Sequence, residues 1–180
     1  MSAILCIQVQ VLPKPEKNHT LSERLSALIQ SRMVAFRGRM VSRNETESIY
    51  TLPSVLEAVL ASIQLQQVFR KEGHSYVSIG IHTNSSDPVD LDLSALDLEV
   101  LGRILALGAA NTVVLSEPVV DHLKKHPEFQ ASKVGKIHNK AYPGGLSVYA
   151  LNGYGLGKLP GTRFYEKLKA RLKLASTFLT

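Results

Sequence analysis

The sequence predicts an α+β domain with a ferredoxin-like β-α-β-β-α-β core, extended by further helices and strands. Three observations predict it. Residues 3–11 read as a strand, with apolar and polar side chains alternating over 7–11 at the two-residue period of a half-buried strand. Two capping-box signatures, Thr20–Glu23 and Ser54–Glu57, each open a run with helical periodicity. Strand-like segments fall before, between and after those runs, in the order a split β-α-β unit requires.

The first strand is justified by Ile7, Val9 and Val11 alternating with Gln8 and Gln10, and Pro13 and Pro15 end its pairing. The first helix is expected from Thr20 to about residue 36, with Leu21, Leu25, Leu28, Ile29 and Met33 on one face and Gly38 beyond its end. Two short strands are expected at 39–43 and 47–51, with Asn44 and Glu45 at the turn. A second helix runs to about Arg70, with Val55, Val59, Leu60 and Ile63 inward, and a strand follows over 76–82.

Beyond that core, 83–93 reads as a polar, turn-rich loop. Ser94 is placed to cap a helix over 95–107, with Leu96, Val100, Ile104 and Leu107 as its apolar stripe. Residues 112–115 read as a buried strand, and Ser116-Glu-Pro118 as the start of a short helix to about Lys125. Strands near 132–138 and 146–151 are expected to pair around Pro143-Gly-Gly145. The domain is placed at 1–152, followed by a basic C-terminal helical tail over 153–180.

Composition bounds the function. A chain of 180 residues with 44% hydrophobic and 20% charged residues suits one ordinary globular domain. No run of 18 apolar residues occurs, and the apolar start lacks a basic flank and a cleavage site, so neither a membrane span nor a signal peptide is expected. The one cysteine, Cys6, excludes an intrachain disulfide framework and fits a reducing, cytoplasmic location. Much of the net charge of +6 comes from Lys158, Arg163, Lys167, Lys169, Arg171 and Lys173. Aromatic residues beyond Phe164 and Tyr165 do not interleave with these cations, which argues against nucleic acid and for packing on the domain or on a partner. His82, His122 and His126 lack the third ligand of a zinc site and read as surface residues.

Four phrases then carry a resemblance. Val77-Ser-Ile-Gly-Ile-His-Thr83 resembles the R-I-G-I-H-x-G phrase of class III nucleotidyl cyclases. Leu98-Glu-Val-Leu-Gly-Arg103 resembles V-N-x-A-x-R, Thr112-Val-Val-Leu-Ser-Glu117 resembles I-L-V-S-E, and Leu146–Leu151 is similar to the family's final strand. They come in family order and cover about residues 3–151. The resemblance implies a cyclase-homology fold, an active site shared across a homodimer or heterodimer, and a nucleotide ligand. Cyclisation is an in-line attack of a ribose hydroxyl on phosphorus, assisted by two divalent cations, Mg or Mn in an active member.

The same resemblance marks departures, which make the chain look like a degenerate member. The first metal aspartate falls at Gln8, whose amide supplies an oxygen without charge. The second falls at or beside Glu45, with Asn44 where a glycine is usual. Of the transition-state pair Arg103 remains, while Glu99 holds the asparagine position and is spaced for an intrahelical ion pair. Asp92 falls at the base-reading position, Arg39 where adenine-reading members carry lysine, and Lys140 near the phosphate-contacting lysine. The expected role is regulatory, dimerising or nucleotide-binding, with the alternative of an atypical active cyclase completed by a partner subunit.

Overall fold

A computed structural model describes residues 2–9, 18–44, 46–71, 77–83 and 93–156. Along the chain the elements are β1 (Ala3–Val9), α1 (Asn18–Ala35), β2 (Arg39–Arg43), β3 (Glu47–Leu52), α2 (Val55–Lys71) and β4 (Val77–Thr83). There follow α3 (Ala95–Leu105), β5 (Thr112–Ser116), α4 (Glu117–Leu123), β6 (Ala131–Ile137) and β7 (Leu146–Leu151). All seven strands join one mixed sheet in the order β2-β3-β1-β4-β5-β7-β6. The first six elements are the expected split β-α-β arrangement, with β3 inserted antiparallel between β1 and β2. β4 and β5 are parallel, and α3 makes the crossover between them.

Strand alternation divides the core into two layers. Ala3, Leu5 and Ile7 of β1 face the large cluster that α1, α2 and α4 cover. Ile4 and Cys6 face the other side, where Leu101 and Leu105 of α3 meet them. Farther along that side, Val100 and Ile104 pack with Val114, Ile137, Leu146 and Val148. α3 thus buries a stripe two residues wide. It lies over Gly80 of β4, where a Cβ would stand 3.4 Å from Leu105 Cδ1 and 3.6 Å from Leu101 Cδ1, an ordinary contact with no room for a longer side chain.

Several expectations are corrected. α1 starts at Asn18, so the Thr20 signature lies inside the helix, two residues past its end. The Ser54 signature does cap α2: Ser54 Oγ accepts from Glu57 N at 3.2 Å. The Glu57 carboxylate accepts from Ser54 Oγ at 3.0 Å and also pairs with Arg37. Leu60 and Leu96 were expected inward but are 37% and 38% exposed. On α3 the reason is the two-cluster footprint, which turns Val100, Leu101, Ile104 and Leu105 to the sheet and leaves Leu96 outside. α4 ends at Leu123, short of Lys125. The expected tail helix lies outside the described residues.

Two polar devices close the core. Gln66 is buried on α2, and its Nε2 donates to Val77 O at 2.9 Å and Thr112 O at 3.0 Å, tying the starts of β4 and β5 to the helix. After β7, Gly155 O accepts from Arg70 Nη1 at 2.8 Å and from Asn111 Nδ2 at 3.2 Å. Gly155 has φ +72°, and a side chain there would run into the Arg70 guanidinium.

Removing the Gln66 amide takes one donor from each of two buried carbonyls, of which Val77 O keeps Asn111 N at 2.8 Å. Gln66→Leu should cost about 1–3 kcal/mol, read from the midpoint of urea unfolding. Gln67→Leu, at the exposed neighbouring position, should stay within about 0.5 kcal/mol of the parent.

Candidate functional site

The candidate site begins with α3, because its start is fixed by local chemistry. Ser94 takes an extended conformation, φ −61° and ψ 144°, and its hydroxyl accepts from Asp97 N at 3.0 Å. The same hydroxyl donates to Asp97 Oδ2 at 2.7 Å. That start, together with the packing over Gly80, sets the face on which Glu99 and Arg103 emerge.

Arg103 is not free. Its Nη2 lies 2.8 Å from Glu99 Oε1, and both side chains are about half exposed. Its Nη1 donates to His138 O at 2.8 Å, in the loop between β6 and β7. The expected i,i+4 pair therefore forms, and a second tie from the loop completes it. At this exposure the pair stabilises the helix by only about 0.3–0.5 kcal/mol. Its consequence is for binding: an anion reaching Arg103 must displace Glu99 and meet its charge.

The Gln8 end of β1 lies on the α3 side of the sheet. Gln8 pairs with Glu47 on β3 and with Ser78 on β4. Two residues back on the same face is the buried Cys6, with Glu47 near enough to act on its thiol. Burial pushes the Cys6 thiol well above its usual range, and the Glu47 charge adds to that. Ser78 Oγ is buried with no hydrogen-bond partner. The turn into β3 is held by Asn44, whose Oδ1 accepts from Thr46 N at 2.9 Å and Glu47 N at 2.8 Å. Asparagine therefore makes this turn with its side chain.

Hard divalent cations demand carboxylate oxygens. Among the described residues no group of three His, Cys, Asp or Glu side chains is placed to hold a metal ion. Gln8 brings no charge to the first expected position. Glu45 and Asp92, the expected metal and base-reading residues, lie outside the described residues.

The remaining predicted residues are spread out. Arg39 is exposed on the edge strand β2, and Lys140 is exposed in the β6–β7 loop that also carries His138. Arg39 pairs with Thr51, four residues along β3 from Glu47, a distance of about 13 Å at the rise of a strand. The structure therefore unites Arg103 with the Lys140 loop, and leaves Arg39 away from the Gln8–Glu47 level. Strand register places Glu47 opposite Gln8.

His82 corrects a further expectation. It is 1% exposed, not a surface residue. Its Nδ1 lies 2.9 Å from Ser116 Oγ, and its ring meets Tyr142 edge-on at 6.4 Å between centroids. Burial holds its pKa below the ordinary value, with the Asp97 charge acting in the opposite direction. A signal existed: His82 shares a face with Ser78 and Gly80, beneath α3, in a strand buried along its length.

With this geometry, the chain has the fold of class III adenylate/guanylate cyclase catalytic domains. It resembles adenylate cyclases from Trypanosoma brucei analysed in their monomeric state, with a TM-score of 0.72, 13% identity, and 89% and 91% of the two chains covered. It also resembles an adenylate/guanylate cyclase/hydrolase from Silicibacter pomeroyi, with a TM-score of 0.66, 16% identity, and 84% and 96% covered. A third similar structure is the dimeric guanylyl cyclase domain of the RhoGC fusion protein from the aquatic fungus Blastocladiella emersonii, with a TM-score of 0.64, 10% identity, and 84% and 96% covered. No family model and no curated protein matches the sequence. Among the described residues, no helix is long and apolar enough to cross a membrane.

Because Cys6 is buried and its thiol is held protonated, the native chain should resist iodoacetamide at mildly alkaline pH. Alkylation should appear only with unfolding in denaturant, followed as a mass shift.

Proposed function

We propose that this chain is a degenerate cyclase-like signalling domain that binds nucleotide or pairs with another cyclase-type domain, and does not cyclise nucleotide efficiently. One observation carries the reading: Glu99 and the His138 carbonyl occupy the guanidinium of Arg103. An arginine that must neutralise charge developing on phosphate has to be free to do so. Here it faces a carboxylate one turn away, and Gln8 brings no charge to the first expected metal position. The loss of catalysis expected from these groups exceeds the loss of binding, because Arg39 and Lys140 keep exposed cations for an anionic ligand.

The decisive assay offers ATP and GTP, with magnesium and with manganese, to the purified chain. No cyclic product above background is the expected result, and clear turnover overturns the proposal. Binding is read separately by calorimetry without metal. Glu99→Gln should tighten ATP by about fivefold, roughly 1 kcal/mol, because it removes a negative charge beside the phosphates and releases Arg103. Unaltered affinity would remove Arg103 from the ligand site.

A second reading is favoured by the separation of Arg39 from the Gln8–Glu47 level. Groups that far apart in one chain suit a site assembled between two chains, in a homodimer or a heterodimer. A partner bringing its own carboxylates would make the assembly an atypical active cyclase, using Mg or Mn and converting ATP or GTP to the cyclic 3',5'-monophosphate. Activity appearing only with the partner, and abolished by Glu45→Ala, would establish this reading. Activity indifferent to that substitution would exclude Glu45 as a ligand.

A further inference from the structure

The contacts of His82 join three parts of the molecule, β4 through His82, β5 through Ser116 and the β6–β7 loop through Tyr142, and the Asp97 charge on α3 acts on the ring. All but Tyr142 are buried, with exposures of 1% for His82, 0% for Ser116 and 5% for Asp97. A serine, a histidine and an aspartate together bring nucleophilic catalysis to mind, but Ser116 has no exposed surface for a substrate to reach. Proton binding needs far less access than a substrate does.

The groups facing His82 limit what a proton can do there. From α3 comes the Asp97 carboxyl, and from the loop comes the Tyr142 phenol, which stays neutral through the range in which imidazole titrates. From β5 comes the Ser116 hydroxyl, and from β1 the opposed residue is Ile4, neither of which titrates in that range. The serine hydroxyl accepts from a protonated ring as readily as it serves a neutral one, so it does not oppose the added proton. The opposition comes from burial of the new charge, which Asp97 offsets in part.

A buried imidazolium is relieved by reaching water, and the cover over His82 is uneven. β4 and β5 are held in the ladder, and α3 is anchored in two apolar clusters. Residues 138–145 are bonded mostly to themselves: Tyr142 N donates to Asn139 Oδ1 at 2.9 Å, and Gly145 N to Tyr142 O at 2.8 Å. Asn139 Nδ2 is buried with no hydrogen-bond partner, so this loop carries an unsatisfied polar group. The loop is tied to α3 by the bond from Arg103 Nη1 to His138 O.

We propose that His82 is a proton-operated latch: neutral, it keeps the β6–β7 loop closed against α3, and protonated, it releases that loop together with the His138 tie on Arg103. The latch links solution pH to the state of Arg103 and the position of Lys140. It does not depend on the nucleotide reading, since both the trigger and the moving part lie within the described chain.

The sign follows from burial. The neutral form is favoured in the closed state, so closure is complete above the ordinary imidazole value near 6.5 and is lost as pH falls below it. Amide hydrogen exchange of the full chain, corrected for the intrinsic pH dependence of exchange, reads this directly. Peptides covering 138–145 should lose about tenfold in protection on acidification through a midpoint below 6.5, while those covering β4 and β5 keep theirs. His82→Gln should flatten the response. His138→Gln, which keeps the carbonyl that Arg103 uses, should leave the response intact. A flat profile in the parent, a surviving response in His82→Gln, or its loss in His138→Gln overturns the latch. Should His82→Gln fail to fold, the His82 ring of the parent can be titrated by NMR. Its midpoint must lie below 6.5 and coincide with loop opening, and a midpoint at or above 6.5 refutes the proposal equally.

Discussion

The close seating of α3 on the sheet is the constraint on which the functional face depends. Gly80 leaves room for Leu101 and Leu105 to come down onto β4, and Ile4 and Cys6 of β1 complete the floor. From that seat everything on the same side takes its position. Asp97 reaches the vicinity of His82, Val100 and Ile104 reach the β6–β7 pair, and Glu99 and Arg103 are left on the outer side of the helix. A side chain longer than alanine at Gly80 would press on Leu101 and Leu105 and move these groups together, since a packed interior does not deform residue by residue.

Polar groups on this side of the sheet are arranged by what water cannot reach. On the opposite side, the α1–α2–α4 cluster is apolar apart from devices such as Gln66, whose amide is fully used. On the α3 side the sheet buries Ser78, His82, Thr112 and Ser116 among its apolar residues. Such groups cost free energy to bury unless they are paired, so each bond they make specifies a geometry. The unpaired Ser78 Oγ lies beside Gln8, at the level of Glu47. The two halves of this face thus differ: the His82 half is hydrogen-bonded, and the Gln8 half keeps an unsatisfied hydroxyl.

The electrostatic character of the face follows from one substitution of type. A carboxylate at Glu99, rather than an amide, gives Arg103 a partner one helical turn away. The energy involved is small at half exposure, and the helix would fold without it. What changes is the local charge, because the carboxylate offsets the positive charge that Arg103 would otherwise present.

The order of elements, the capping of α2 and α3, the Glu99–Arg103 pair and the parts of the resemblance were all legible in the sequence. Each rests on interactions between residues a few positions apart, and local periodicity reports those directly. The exposure of Leu60 and Leu96, the burial of His82, the pairing of Glu47 with Gln8 and the second tie on Arg103 were not legible. Each depends on strand register, or on which side of a helix a distant part of the chain covers. The sequence by itself determined which chemistry the chain carries and in what order. Only the tertiary structure decided which of those groups meet, because contacts between strands and across α3 are set by packing over the whole sheet.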